Sequence, residues 1–356
     1  MNPDRLRAIA SRFARLRVVL IGDIALDRYL HIDPALAETS LETGLVVHNV
    51  VAVRPQPGAG GNVLANLAAL SPKSLAAVGF SGDDGEGVEL RRALANLGVD
   101  LTHFLARADR TTFTYTKPLV MHRGRPPQQR GPIHVPLDPV VGTQQGPEEL
   151  SRLDFRSRTP TPAILEDEII RRLQQAAAGA DVVVAMDQAP EPENGVLTRR
   201  VKAALADVAH AHPEIVIIGD SRTSPGDFAD IRMKTNRAEL ARRFGVAPTA
   251  ADVQALALRW AGDLGRDVFV TLAEQGIVAA SEGRAVHVPG VRVEPPLDVT
   301  GAGDAVLASI AMALGAGADA FEAAEIGNLA GAVVVKKLGT TGTATVEELA
   351  AMLKRG

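Results

Sequence analysis

The segment Leu297–Gly317 reads LDVTGAGDAVLASIAMALGAG. Gly301 and Gly303 flank Ala302, a lone carboxylate follows at Asp304, and an apolar run then begins without a break. The run predicts a buried helix, and the glycines predict that its first N–H groups are approachable. A helix N-terminus carries unpaired N–H groups and roughly half a positive charge. With almost no side chains over it, such a terminus is a main-chain site for an oxyanion. Asp304 has two readings here. It is a cap or first-turn acid of the helix, or it is a general base that accepts the proton of a substrate hydroxyl as phosphoryl transfer begins.

Outward from this loop, β and α patterns alternate along most of the chain. LRVVLIGD (16–23), ADVVVAM (180–186), EIVIIGD (214–220) and DVFVTLA (267–273) are continuous apolar runs, as expected of strands buried on both faces of a parallel sheet. GGNVLANLAAL (60–70), ILEDEIIRRLQQAA (164–177) and NRAELARRFG (236–245) have helical spacing. The alternation predicts an α/β fold with a doubly wound sheet flanked by helices. ETGLVVHNVVAVRP (42–55) and RTTFTYTKPLVM (110–121) alternate with period two and fall outside that sheet. They predict a small β lid over about 30–57 and 105–155, with a Pro/Gln-rich flap at about 122–158. The whole of 1–356 reads as one domain.

The 356 residues hold no cysteine, which excludes disulfide scaffolds, thiolate-ligated metals and thiol catalysis. A net charge of −4 argues against nucleic acid as a partner. The apolar stretch near the N-terminus is too short and too interrupted for a secretory signal, and no apolar run reaches membrane-spanning length. The expectation is a cytoplasmic protein with no membrane partner. There is no GK[ST] of a P-loop, and PGAGGNV (57–63) lacks the last glycine of a dinucleotide fingerprint. A Rossmann dehydrogenase is therefore disfavoured.

Several motifs in order carry a resemblance. LDVTGAGDAV (297–306) resembles the C-terminal signature of the PfkB/ribokinase family of carbohydrate kinases. VVLIGDIALDRYL (18–30) is similar to that family's first strand and sugar-contacting Asp, and RPQPGAGGNVLANLAAL (54–70) to its N-terminal glycine motif. KTNRAEL (234–240) resembles its Asn-x-x-Glu motif, VTLAEQG (270–276) its nucleotide-side loop, and NLAGAVVVKKLGT (328–340) its adenine-flanking segment. Within the family, GDIALDRYL, YTKP, SRLDF and NLAGAVVVKKLGT look most like the heptose-7-phosphate kinase half of the bifunctional ADP-heptose synthesis enzyme. No HxGH-type motif of a nucleotidyltransferase half occurs here. Two positions depart from the family pattern: Ala59 within the N-terminal glycine motif, and Ala273 where a glycine is usual.

The resemblance implies a ribokinase-like fold and ATP-dependent phosphorylation of a sugar or sugar phosphate. Asp304 would be the base, and the N–H groups of Gly301, Ala302 and Gly303 the anion hole. Asp27, Gly58, Gly61 and Asn62 would meet the sugar, with Lys117, Arg152 and Asp154 holding a distal phosphate or hydroxyls. Arg222 is a further candidate for an anionic group. Asn236, Thr271, Gly276, Thr300 and Asn328 would lie along the nucleotide. Glu239 and Asn236 would organise Mg²⁺ through water, and Asp298 would support a monovalent cation such as K⁺. Family lids often pair, which makes a homodimer through the lid an expectation. Each residue has a plainer reading: a helix cap for Asn236 and Thr300, a buried structural amide for Asn328, and surface charges for Asp27, Lys117, Arg152 and Asp154. A nucleoside or ketodeoxy-sugar-acid kinase, and a catalytically weak sugar- or nucleotide-binding protein, stand as alternatives.

Overall fold

A computed structural model describes residues 1–121, 148–250, 252–339 and 341–354. Most of the expected flap, 122–147, lies outside the described residues. The main sheet has nine strands. Their spatial order is Arg284–Pro289, Gly276–Ser281, Val268–Thr271, Arg232–Asn236, Val216–Ser221, Val182–Asp187, Arg17–Gly22, Ser74–Gly82 and Phe104–Arg107. The seven strands from Val268–Thr271 onward pair in parallel, and the hairpin Gly276–Pro289 closes one edge antiparallel.

Strand residues alternate between two cores because successive side chains point to opposite faces. Val18, Leu20, Val182 and Val184 face helices Gly60–Ala69, Ala302–Gly315 and Ala320–Val334. Val19, Ile21, Val183 and Ala185 face helices Ala163–Ala177, Arg199–Ala211 and Val253–Leu264. Leu20 and Ile21 are both fully buried. Truncating either to alanine costs about 2–5 kcal/mol. The continuous apolar runs thus read as they fold: both faces of each central strand are covered.

The lid is a separate sheet. Its strands run Leu153–Phe155, Thr114–Val120, Ile24–Ile32 and Val50–Ala59 in space, with Glu148–Glu149 added beside Thr114–Val120. Two expectations need correction. Phe104–Arg107 pairs in parallel with Ser74–Gly82 and belongs to the main sheet, not the lid. The lid also starts earlier than residue 30: the strand Ile24–Ile32, which bears Asp27, opens it. The chain leaves the main sheet at Gly22, the strand partner of Met186, and re-enters β structure at Ile24, so only Gly22 and Asp23 mark the boundary between the two sheets.

Candidate active site

The GAGD loop opens the helix Ala302–Gly315. Gly301 caps it with φ 77°, a left-handed conformation suited to glycine. Every residue from Ala305 to Leu314 is buried, Ser309 among them, and the helix's one charged side chain stands at its mouth. Asp298 fixes the approach: its carboxylate accepts from Thr300 N at 2.9 Å and Gly339 N at 3.0 Å, and its own N–H donates to Val335 O at 2.8 Å. Thr300 itself is exposed.

Asp304 lies in the first turn and is half-buried. Burial pushes its carboxyl up to about 6; the Lys234 charge pulls it down, Asp220 pushes it up, and a hydrogen bond from the Asn62 side chain and the Arg222 charge pull it down. The bond from Asn62 ties the helix Gly60–Ala69 to this helix mouth.

Lys234 and Asp220 escaped the sequence reading. They stand in register on adjacent parallel strands. Lys234 Nζ donates to Asp220 Oδ2 at 2.6 Å, and both side chains are less than a tenth exposed. Burial works against the ammonium, but the Asp220 charge and hydrogen bond, with Glu239 and Asp304 beyond, raise its pKa overall. The sequence signal was weak: the strand Arg232–Asn236 reads RMKTN, so a lysine two residues before Asn236 does not stand out.

At the C-terminal end of the strand that carries Lys234, Asn236 and Glu239 form a capping box. Asn236 Oδ1 accepts from Glu239 N at 2.9 Å, and Glu239 Oε2 accepts from Asn236 N at 2.9 Å and Thr235 Oγ1 at 3.1 Å. Burial, then the Asp220 charge, raises the Glu239 pKa. Thr271 is the strand neighbour of Asn236 and donates to Thr235 O at 3.2 Å. Gly276 follows with φ 101°, where a Cβ would stand 2.2 Å from Val288 O. Asn328 donates to Val288 O at 3.1 Å and Pro289 O at 3.0 Å, so its amide staples the hairpin.

The lid supplies the opposite wall. Asp27 meets Lys117 Nζ at 3.1 Å, and Gly58 gives it room: a Cβ there would be 2.9 Å from Asp27 Oδ2. At Gly61 a Cβ would fall 2.5 Å from Pro57 Cβ, which fixes the close passage of strand into helix. Arg152 pairs with Asp154 at 2.7 Å and lies over the Tyr115 ring at 4.8 Å. Burial raises the Tyr115 pKa, and Arg222 is near enough to lower it, as it is to Asp304. Gln56 Nε2 donates to Thr341 Oγ1 at 3.4 Å, and Thr341 packs against Gly301. The lid face bearing Asp27 and Gln56 therefore lies over the GAGD loop. A cavity of about 780 Å³, whose lining includes Leu30, Ile32, Val50 and Pro118, lies on the lid and includes no GAGD-loop residue.

The C-terminal segment that holds most of these groups matches a known family. Residues 227–347 fit the model of the pfkB family carbohydrate kinase. Over this segment the chain is similar to the pfkB carbohydrate kinases. It is 33% identical over 342 residues to the bifunctional protein HldE of Azorhizobium caulinodans, covering 95% of this chain and 64% of that protein. It is 33% identical over 352 residues to the bifunctional protein HldE of Halorhodospira halophila, covering 97% of this chain and 65% of that one. The chain thus spans a little under two thirds of the length of these curated relatives. Its fold is ribokinase-like. The Arabidopsis thaliana ribokinase complexed with ribose and ATP superposes with a TM-score of 0.65 at 18% identity, over 96% of this chain and 99% of that one. Phosphofructokinase-2 from Escherichia coli in complex with fructose-6-phosphate gives 0.63 at 19% identity, over 96% and 99%. Among the described residues, no helix is long and apolar enough to cross a membrane.

Proposed function

We propose that this protein transfers the γ-phosphoryl group of ATP to a hydroxyl of a sugar or sugar phosphate. The observation that carries the reading is the convergence of Asp304, the bare N-terminus of its helix and the buried ammonium of Lys234. A carboxyl held near pH 6 is mostly ionised at neutral pH yet basic enough to take a hydroxyl proton. The N–H groups of Gly301, Ala302 and Gly303 receive the transferring phosphoryl oxygens, and Lys234 adds a fixed cation below them. Asn62 holds the Asp304 carboxylate in place. Asp27 and Lys117 orient the acceptor from the lid, which excludes water from the phosphoryl group.

Thr271, Gly276 and Asn328 shape the nucleotide side, the last two through the hairpin they hold. No group of three or more His, Asp or Glu able to hold a metal occurs among the described residues. With Asn236 and Glu239 engaged in their cap, the site suits Mg²⁺, an ion that keeps its waters and seldom takes an all-protein cage. Bound there, Mg²⁺ would offset phosphate charge. Asp298, clamped between two loops, is the residue for a monovalent cation such as K⁺.

A nucleoside acceptor fits less well. It would stack on lid aromatics, and Tyr29 and Tyr115 already carry Arg54 at 4.0 Å and Arg152 at 4.8 Å. Exposed Val46, Val50, Val51, Val53, Leu153 and Phe155 on the lid support pairing of two copies there. The test of the reading is ADP release from ATP and Mg²⁺ across a panel of sugars, sugar phosphates and sugar acids. Turnover confined to one or a few acceptors is the expected result.

A further inference from the structure

Lys202 and Asp187 form a buried ion pair that the reaction as described does not use. They meet at 2.8 Å, with side chains only 5% and 6% exposed. Taking both charges out of water is costly, and their attraction does not by itself repay it. What the pair holds is the turn after the strand Val216–Ser221. Asp187 and Ser221 stand in register on neighbouring strands. Asp187 Oδ2 accepts from Ser221 Oγ at 2.8 Å, Ser221 Oγ accepts from Ser224 N at 3.0 Å, and Lys202 Nζ donates to Ser224 Oγ at 3.1 Å. Inside this ring lies Arg222. Its N–H continues the strand ladder to Asp187 O at 3.1 Å, and its C=O accepts from Arg242 Nη1 at 2.7 Å. Both backbone groups of Arg222 are therefore fixed. Its side chain is exposed, and its guanidinium has no hydrogen bond or ion pair among the described residues.

Strand parity places that guanidinium. Ile217 packs in the core under the helix Arg199–Ala211, which carries Lys202, and Ile218 packs in the core under the GAGD helix. Successive residues alternate, so Ser221 falls on the first face, and Asp220 and Arg222 on the second. On that second face Asp220 reaches Lys234, whose ammonium stands beside Gly303. Arg222 lies one step beyond Asp220 toward the C-terminal edge of the sheet. Its charge acts on Asp304 and also on Tyr115 of the lid, so it stands between the helix mouth and the lid. A planar fork of N–H donors, held by its backbone and lacking an anion of its own, matches phosphate oxygens.

We propose that Arg222 is a catalytic residue that grips the γ-phosphoryl group of ATP in transit, and that Lys202 and Asp187 are the positioning residues that hold it there. This deepens the kinase reading and rests on it. The acceptor oxygen forms its bond to Pγ, the bond from Pγ to the β,γ-bridging oxygen breaks, and ADP leaves with that electron pair. The hydroxyl proton goes to Asp304. Arg222 gives and takes no proton; its N–H groups donate to the peripheral oxygens of the phosphoryl group and add to those of the GAGD loop. An arginine acting in this way is worth about 10³–10⁵ in kcat.

The test is calorimetric titration of the full chain with a non-hydrolysable ATP analogue and with ADP, each with Mg²⁺ at constant ionic strength. Arg222→Gln should weaken the analogue about tenfold or more and ADP by less than about twofold, because only the analogue carries the group that Arg222 grips. With the best acceptor, kcat of Arg222→Gln should fall about 10³-fold. Lys202→Met should lower the preference for the analogue in the same direction. Added to Arg222→Gln it should lower that preference no further, since both act through one guanidinium. Should Lys202→Met fail to fold, Ser221→Ala carries the same expectation. An Arg222→Gln chain that keeps the wild-type preference between the two nucleotides, or the wild-type kcat, overturns the proposal and leaves the kinase reading standing. Losses from Lys202→Met that add in full to those of Arg222→Gln overturn the positioning role. A wild type that binds neither nucleotide overturns the kinase reading and this proposal with it.

Discussion

The ammonium of Lys234 lies 3.3 Å from the point where a Cβ on Gly303 would stand. A cation from the sheet thus approaches the bare loop from below, and on the proposed reading the phosphoryl group approaches it from above. Gly303→Ala meets a single atom, the ion-paired Lys234 ammonium, which must give by only a few tenths of an ångström, so its effect on stability should be within about 1 kcal/mol. It should still lower kcat about tenfold by displacing the ammonium. Lys234→Met should cost roughly 10²–10³ in kcat, as the loss of a donor to a developing charge does. It also strands Asp220, so it should unfold at lower urea; the double variant Lys234→Met, Asp220→Asn should regain stability and not activity. Steady-state kinetics beside urea melts separate the two effects.

The raised pKa of Asp304 fixes a pH dependence. A base must be deprotonated, so kcat/KM should rise through about pH 6 and level off above it. For stability the sign is opposite. The folded-state pKa is above the ordinary value of 3.8, so the folded state holds the proton more tightly, and stability falls as pH rises from about 4 to about 6. Asp304→Asn should then be more stable than wild type at pH 7, by about 1–2 kcal/mol after allowing for the partial exposure of the site. The advantage should vanish near pH 4. Melting temperatures at the two pH values check this.

Two alanines sit where the backbone favours glycine. Ala59 has φ 52° and ψ −122°, and Ala273 has φ 54°. Both fall at the positions that depart from the family's glycine pattern. Left-handed backbone costs an L residue about 1–2 kcal/mol. Ala59→Gly and Ala273→Gly should each raise the unfolding free energy by about 1 kcal/mol, Ala59→Gly by more because its ψ is rarer for a side chain. A urea midpoint at or below that of wild type would show that the methyl groups pack well enough to offset the strain.

The Asp27–Lys117 pair belongs to acceptor binding on this account. Asp27→Asn should raise KM for the acceptor at least tenfold and leave KM for ATP within about twofold. A parallel rise in both would mean that the pair merely holds the lid.

Much of this was legible beforehand. Runs such as VVLIG and VIIGD could only be strands covered on both faces, and the GAGD loop could only open a helix, because each signal depends on local pattern. Lys234–Asp220 and Arg54–Tyr29–Lys117 were not legible. They arise from strand order and register, which bring together residues 14 and 88 positions apart. Asn236–Glu239 and Asn328 show a further limit. A cap or a staple of the backbone and a contact to nucleotide use the same residue types, and the geometry supplies the first in full. The lid boundary at Phe104–Arg107 was misplaced because a four-residue strand carries too little pattern to tell which sheet it joins.

The most direct test of the central claim is ATP-dependent turnover of the best acceptor by wild type and Asp304→Asn, with ATP binding measured on both. The account predicts that Asp304→Asn binds ATP as wild type does and loses about 10²–10⁴ in kcat. An Asp304→Asn enzyme with wild-type kcat would contradict it, and would leave this carboxylate as a first-turn acid of its helix.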